Sequence, residues 1–412
     1  MLSAVIDTGY NSTRLCIYDV FPNKTFRLLG SSKFFLRIGE GIEEGSSISE
    51  NKIKDLENTF RLFRNLLDKK NVNNIKVVGT SAFRYATNGL DVAKKITDII
   101  GSQMIILSGE EEGKMAALGV IDTLPIDSGV IFDLGGGSLE VIYFESREIK
   151  EVYHFRLGAL KLSREYKSEG ELRKKIRNEL SILKPIKGTL IGSGGNIRAL
   201  GKMDQKLSAY PLKSVHGYII KTSEISKYSK VLMNLDPEER SSLPGISKDR
   251  AYTIHTASVV IEELANILGA SSITISAYGM REGVLIQDKI DDIQKNWLDT
   301  ISREFLIDPP WEIYNSFDNP FMKLSSFIAT IMKEAGFLDP YEACFRFLKY
   351  STIPGFEDND VLISSLLCKG ASGKLKKKYF KLIKNNYNKK DFLKMAKEVK
   401  EVVNASVAGV KI

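Results

Sequence analysis

The apolar residues of the first hundred positions change period twice. A short apolar run, Ala4-Val5-Ile6, leads into Asp7, residues 13–20 alternate apolar and polar, and 25–29 form a third short run, which predicts a β-meander. The period then lengthens, with Ile53, Leu56, Phe60, Phe63 and Leu67 on one stripe of a long helix. A strand over 75–80, a helix over 91–100 closed by Gly101, a strand over 104–107 and a helix from about Glu110 follow. Strands alternating with helices predict an α/β layer on a partly parallel sheet. Near residue 125 the pattern restarts, with strands over 130–133, 139–144 and 151–155, a strand over 190–193 entering a glycine turn and a helix, a helix over 248–268 capped by Gly269, and a strand over 273–276. From about Asp291 the chain reads as helical, broken near Asp308-Pro309-Pro310.

The two starts align at one offset of 126 residues: Asp7 with Asp133, Gly9 with Gly135, Ser12 with Ser138, and Leu15 with Val141. One offset shared by several matches points to a duplicated domain. The expected organisation is a lobe over 1–124, a second over 125–288, and an all-helical domain over 291–412. Each lobe delivers an Asp and a glycine turn to a shared cleft.

Composition then narrows the chemistry. The 412 residues are 43% hydrophobic, which excludes disorder and leaves room for several cored domains. The formal charge of +8 is not spread evenly. Residues 369–400 hold twelve lysines against Asp391 and Glu398, a net of +10, which leaves the rest of the chain at −2. Leu375, Tyr379, Leu382 and Ile383, then Phe392, Met395, Ala396, Val399 and Val403, predict two amphipathic helices with lysine-rich backs. Those backs are either solvated faces or a docking surface for a polyanion, and the absence of arginine disfavours nucleic acid. Cys16, Cys344 and Cys368 are odd in number and widely spaced, so no disulfide is expected and a reducing cytoplasm is the simplest setting. The first residues lack the basic region of a signal peptide, and no apolar run nears the ~18–20 residues that span a bilayer.

Three glycine turns follow apolar strands: Gly9-Tyr10-Asn11-Ser12, Gly135-Gly136-Gly137-Ser138 and Gly192-Ser193-Gly194-Gly195. Such turns aim backbone N–H groups at an anion, with Ser and Asn adding donors. Asp7 and Asp133 beside them would repel a phosphate unless a divalent cation such as Mg²⁺ lay between, although each Asp could instead cap its own turn. There is no GxxxxGK[ST] loop, no GxGxxG after a strand, no GxSxG elbow, and no metal-ligand spacing among His154, His216 and His255. Glu110-Glu111-Glu112 at a helix start is explained by the helix dipole alone. Arg84, after the strand over 75–80, could fork onto phosphate oxygens. What is left is phosphoryl chemistry.

Thr80-Ser81-Ala82-Phe83-Arg84, Ser108-Gly109-Glu110-Glu111-Glu112, Asp133-Leu134-Gly135-Gly136-Gly137-Ser138-Leu139-Glu140, Gly192-Ser193-Gly194-Gly195 and Gly279-Met280-Arg281-Glu282-Gly283 stand in that order after Ile6-Asp7-Thr8-Gly9. Over about residues 1–288 the ordered set resembles the exopolyphosphatase and guanosine pentaphosphate phosphatase family. The resemblance implies two actin-like (ribonuclease H-like) lobes with an interlobe cleft, followed by a C-terminal all-helical domain. It also implies that the middle acid of the glutamate run, Glu111, is the catalytic base, with Asp133 and Glu140 assisting. Arg84, Gly9, Asn11, Ser12, Gly135, Gly137, Ser138, Gly194 and Gly195 would hold phosphate, and Asp7, Asp133 and Glu140 would hold Mg²⁺, or Mn²⁺ in its place. Inorganic polyphosphate is the expected substrate, with guanosine pentaphosphate, another nucleotide, or a non-catalytic polyphosphate-binding regulator as alternatives. Neither membrane nor nucleic acid is an expected partner, and a homodimer is compatible with the reading. Tyr10, Leu139 and Tyr252 depart from the family pattern, and residues 291–412 contain no His-Asp doublet.

Overall fold

Five strands of the first lobe, β1 (Leu2–Thr8), β2 (Thr13–Val20), β3 (Phe26–Phe34), β4 (Asn74–Gly79) and β5 (Met104–Ile106), form a sheet in the order β3-β2-β1-β4-β5. The structure, a computed structural model, describes residues 1–42, 45–166, 168–384 and 386–406. β1, β2 and β3 pair antiparallel as a meander, and β4 and β5 add in parallel. Helix α1 (Glu50–Lys69) buries the expected stripe of Ile53, Leu56, Phe60, Phe63 and Leu67. It packs with Ile96 and Ile100 of α3 (Gly89–Ile100), while the short α2 (Ser81–Tyr85) follows β4. Each buried Phe of this core is worth roughly 2–3 kcal/mol of transfer free energy.

The second sheet, β6 (Gly129–Leu134), β7 (Leu139–Glu145), β8 (Glu148–Phe155), β9 (Thr189–Ser193), β10 (Ile219–Lys221) and β11 (Ser272–Ile275), runs β10-β11-β9-β6-β7-β8. Its β8-β7-β6-β9 portion repeats β3-β2-β1-β4, antiparallel meander followed by a parallel strand. Helix α4 (Gly109–Ile121) departs from the expected boundary at 124. Its Ala117, Val120 and Ile121 pack with Ile131, Ile142, Phe144 and Ile191 of the second sheet, so the break between lobes falls before it. Helical periodicity reveals a buried face but not which sheet covers it.

The second lobe continues through α5 (Ala159–Glu165), α6 (Glu169–Leu180), α7 (Gly195–Leu207), α8 (Thr222–Asn234), α9 (Pro237–Ser242), α10 (Lys248–Ala251), α11 (Ile254–Leu268) and α12 (Met280–Ile286). The single helix expected over 248–268 is broken at Tyr252 and Thr253. Helices α4 and α12 cross backbone to backbone: a Cβ on Gly283 would lie 1.8 Å from the Met115 carbonyl oxygen, and one on Gly119 2.1 Å from that of Gly279.

By contacts the chain divides into Met1–Asp204 with Ile219–Ile290, and Gln205–Tyr218 with Asp291–Ile412. Residues 205–218, expected in the second lobe, belong to the helical unit because Leu212 joins its core. That unit holds α13 (Ile293–Glu304), α14 (Trp311–Asn315), α15 (Pro320–Glu334), α16 (Pro340–Tyr350), α17 (Asp358–Ala371), α18 (Lys377–Phe380) and α19 (Lys389–Ser406). Of the two expected basic helices, α19 forms and buries Phe392, Ala396, Val399 and Val403. The first shrinks to the single turn of α18, and Asn388 starts α19 afresh by accepting from the Asp391 N–H at 2.9 Å. The cysteines also depart from expectation. Cys344 and Cys368 form a disulfide, with Cα atoms 6.2 Å apart, because α16 packs on α17 and joins residues that spacing keeps apart. Cys16 is free and buried. Among the described residues no helix is long and apolar enough to cross a membrane.

Candidate active site in the interlobe cleft

The duplicated hairpins close with the same bond. The Gly9 N–H donates to the Ser12 carbonyl at 3.0 Å, and the Gly135 N–H donates to that of Ser138 at 3.0 Å. Both turns face one cleft, which the β9–α7 turn also lines. Gly194 in that turn has φ +93°, and a Cβ there would sit 2.6 Å from Asp133 Oδ1, so both conformation and space require glycine. Of the residues expected at the site, Asp7, Gly9, Asn11, Ser12, Asp133, Gly135, Gly137, Ser138, Glu140, Gly194 and Gly195 all line the cleft.

Glu111 does not. Ser108 caps α4 through a capping box: its side chain accepts from the Glu111 N–H at 3.1 Å, and the Glu111 carboxylate accepts from the Ser108 N–H at 2.8 Å. Those bonds hold the Glu111 carboxyl below its ordinary pKa, and the residue is exposed. One position on, the helix turns Glu112 into the cleft wall. The middle acid of the run thus lies at the cap and its neighbour Glu112 in the cleft, because a step of about 100° along a helix separates the two. Arg84 also stands back from the cleft lining. It pairs with Glu112 at 3.1 Å and donates to the Leu107 carbonyl at 2.5 Å, while its Nε and Nη2 are buried without a partner.

The sequence reading also missed the cations. Arg14, Lys33, Arg198, Arg250 and Arg281 line the cleft, so it is a mixed site and not an acidic one. Arg281 reaches Asp7 at 3.5 Å, Arg250 donates to the Asn196 side-chain oxygen at 3.1 Å, and Arg198 donates to the Ala277 carbonyl. A signal for Arg281 was present in the Gly279–Gly283 motif, but nothing local marks the other four.

Crowding like charges in a buried site shifts the titrations. Burial first, then the charge of Asp133, pushes Glu140 up to about 8, and burial and then Glu140 push Glu112 well above the carboxylate range, against the pull of Arg84. Burial raises Asp7 against Arg281, and raises Asp133 against Arg198. On the cationic side, burial followed by Arg250 and Arg14 brings Lys33 down to about 7, and burial lowers Arg198 and Arg250 to about 10. Glu140 also meets His154 Nδ1 at 2.9 Å, and burial lowers the His154 pKa, so the ring is neutral at pH 7.

The expected Asp7, Asp133 and Glu140 metal set is not assembled. Among the described residues no three His, Cys, Asp or Glu side chains gather at metal-binding distance, and Glu140 is engaged by His154. Asp7 and Asp133 fit a narrower role. Both are cleft carboxylates that burial holds above their ordinary range, and Mg²⁺ is commonly held by one or two carboxylates with waters and phosphate oxygens completing its shell.

Two meander-plus-parallel-strand lobes around a glycine-lined anion cleft define the class: an actin-like fold with a helical C-terminal region. A profile of the Ppx/GppA phosphatase family matches residues 16–290, and the chain belongs to that family. The family member from Aquifex aeolicus superposes with a TM-score of 0.62 at 24% identity, over 70% of this chain and 97% of that one. An exopolyphosphatase from Cytophaga hutchinsonii gives 0.63 at 24% identity, over 69% and 96%. In sequence, the chain is 24% identical over 310 residues to a guanosine-5'-triphosphate,3'-diphosphate pyrophosphatase of Vibrio parahaemolyticus, covering 72% of this chain. The chain spans about 60% of the length of that relative. Exopolyphosphatase 2 of Mycobacterium tuberculosis is 23% identical over 310 residues, 69% of this chain and 97% of its own length.

Proposed function

We propose that the protein is an exopolyphosphatase, hydrolysing the terminal phosphoanhydride of inorganic polyphosphate and releasing orthophosphate. The observation that carries this reading is the half-buried Glu112 carboxyl set in a cleft of glycine-turn donors and five cations. The turns and Arg14, Lys33, Arg198, Arg250 and Arg281 hold the terminal phosphates. Glu112 takes a proton from water as the water oxygen bonds to the terminal phosphorus and the bridging P–O bond breaks, the shortened chain leaving with the electron pair. A raised pKa makes Glu112 a stronger base once ionised, and Arg84 behind it steadies the ionised form. Glu140 and Asp133 orient the attacking water. Mg²⁺, with Mn²⁺ as a substitute, would be held by Asp7 and Asp133 and would supply neutralisation of phosphate charge.

A second reading, hydrolysis of guanosine pentaphosphate, is favoured by the named activity of the Vibrio relative. Both substrates end in the same phosphoanhydride. Phosphate release measured side by side on long polyphosphate, short polyphosphate, guanosine pentaphosphate and ATP with Mg²⁺ separates them. Turnover of the nucleotide alone would replace the first reading by the second, and turnover of none would end both.

The lysine-rich tail joins the proposal as a hold for the distal part of a long chain, since Lys376, Lys377, Lys378 and Lys381 stand exposed. A cytoplasmic setting completes it. The Cys344–Cys368 bond is the observation that weighs against a reducing compartment, and thiol counting on protein isolated under rapid alkylation decides the matter.

A further inference from the structure

Tyr85, His154 and Glu140 form a chain of contacts from the first lobe to the acidic wall of the cleft. Tyr85 ends α2, the helix that also carries Arg84 and the cleft residue Ser81. Its hydroxyl lies 2.8 Å from His154 Nε2, and His154 Nδ1 lies 2.9 Å from Glu140 Oε1. A neutral ring satisfies both in one tautomer, with Nδ1–H donating to Glu140 Oε1 and Nε2 accepting from the hydroxyl. The ring is fixed from a third side as well. A Cβ on Gly109 would lie 2.3 Å from His154 Cγ, so the imidazole rests on the first turn of α4, the turn that carries Glu112. Arg156 covers the Tyr85 ring at 4.3 Å.

A histidine that merely filled space would have no need of partners at both nitrogens, nor of a partner in the cleft. Here one partner is a carboxylate only 2% exposed that lines the cleft, and the other comes from the opposite lobe. Ser138 and the Glu140 N–H also hydrogen-bond to this carboxyl, and His154 adds the contact at Oε1 that ties its orientation to the first lobe, since an acid meant to direct a water must not turn. Outer partners of this kind, which aim a working ligand without touching substrate, change activity by roughly 10–100-fold when removed.

We propose that His154 is a positioning residue, holding Glu140 in the orientation that hydrolysis uses and, through Tyr85, making that orientation depend on how the first lobe is seated against the second. The inference rests on the phosphoanhydride hydrolase reading given above. Because Glu140 faces the reacting water and the cations face the phosphate chain, the effect falls on kcat and spares KM.

The experiment compares wild type, His154→Ala, His154→Asn and Tyr85→Phe for Mg²⁺-dependent phosphate release from polyphosphate, with thermal unfolding as a check on folding. The expected result is a kcat reduced about 10–100-fold in His154→Ala with KM within about threefold. His154→Asn, whose amide can replace the Nδ1–H donor, recovers most of the loss, and Tyr85→Phe gives a smaller fall in kcat. Wild-type kcat in His154→Ala overturns the proposal. So does a loss that Asn does not recover and that raises KM in step, which is the signature of a purely structural role. The chain has three histidines, so ¹⁵N-histidine NMR of the whole protein reads the tautomer directly. If wild type hydrolyses no phosphoanhydride, the hydrolase reading fails by itself. The contact chain still stands or falls on an Nδ1–H signal for His154 that shifts in both Glu140→Gln and Tyr85→Phe.

Discussion

Exchanging Glu112 for Gln, and separately Glu111 for Gln, tests which of two adjacent glutamates works. A positioned proton acceptor contributes typically 10²–10⁴ in rate, which at about 1.4 kcal/mol per tenfold is roughly 3–5 kcal/mol of barrier. Glu112→Gln keeps the shape and loses that contribution, so kcat for phosphate release should fall at least a hundredfold. Stability should move the other way. Burial and then Glu140 raise the folded-state pKa of Glu112 despite Arg84, so the folded protein binds this proton more tightly than the unfolded chain does. Stability is therefore lost as pH rises above the unfolded value near 4.5 and goes on falling up to the folded pKa. Gln carries no such penalty. At pH 8, without substrate or metal, Glu112→Gln should unfold at the same temperature as wild type or a higher one while being nearly inactive. Glu111→Gln preserves the capping box but removes a carboxylate that the cap bonds hold below its ordinary pKa, so it should leave kcat within error and lower the unfolding temperature slightly at pH 8. Scanning calorimetry and a phosphate-release assay on the same preparations give both readings. Activity above about a tenth of wild type in Glu112→Gln, or an equal loss in Glu111→Gln, would refute the assignment.

Lys33, brought down to about 7, is charged below that pH and neutral above it, so KM for polyphosphate should rise several-fold between pH 6 and 8.5. Lys33→Arg, which stays charged, should flatten that rise in a pH series of KM. Gly283→Ala drives a methyl group into the Met115 carbonyl and should destabilise by about 1–3 kcal/mol in denaturant melts, with a loss of activity as α4 and α12 separate. Changing Lys376, Lys377, Lys378 and Lys381 together to Gln should weaken turnover of long chains, with a shallower salt dependence, and leave short chains unaffected. Unchanged long-chain kinetics at low salt would remove the tail from the proposal.

What could be read in the sequence was whatever repeats or has a period. The stripe of α1, the two hairpins and their offset of 126 residues all follow from spacing, and they appear in the structure as sheets of matching order. Three kinds of feature stayed hidden for physical reasons. Helical phase at a terminus decides between Glu111 and Glu112, and the boundary of α4 could not be known closely enough to fix it. Contacts between distant segments decide where Arg14, Lys33, Arg198 and Arg250 point, and no local pattern encodes them. The same holds for Cys344 and Cys368, joined only once α16 packs on α17.

On the proposed hydrolase reading, the duplication also accounts for how one cleft would both hold an anion and activate a nucleophile. In the two hairpins the Asp sits at the same place, but its cross-strand partner differs: Asp7 pairs in register with Arg14, and Asp133 with Glu140. Directly opposed residues on antiparallel strands project from the same face, so that partner sets the sign of charge each hairpin brings to the cleft. In the first lobe the pair is neutral overall, and with Lys33 beside it favours phosphate. In the second lobe the pair is doubly acidic, and Glu112 adds a third carboxyl. A symmetric pair of phosphate hairpins would bind without reacting, and a symmetric pair of acidic ones would exclude the substrate. A single exchange of charge at equivalent positions, Arg14 against Glu140, divides the labour. It follows that Arg14→Gln should raise KM with little change in kcat, and Glu140→Gln should lower kcat with little change in KM. The same split in both variants would mean that the two hairpins do not have separate tasks.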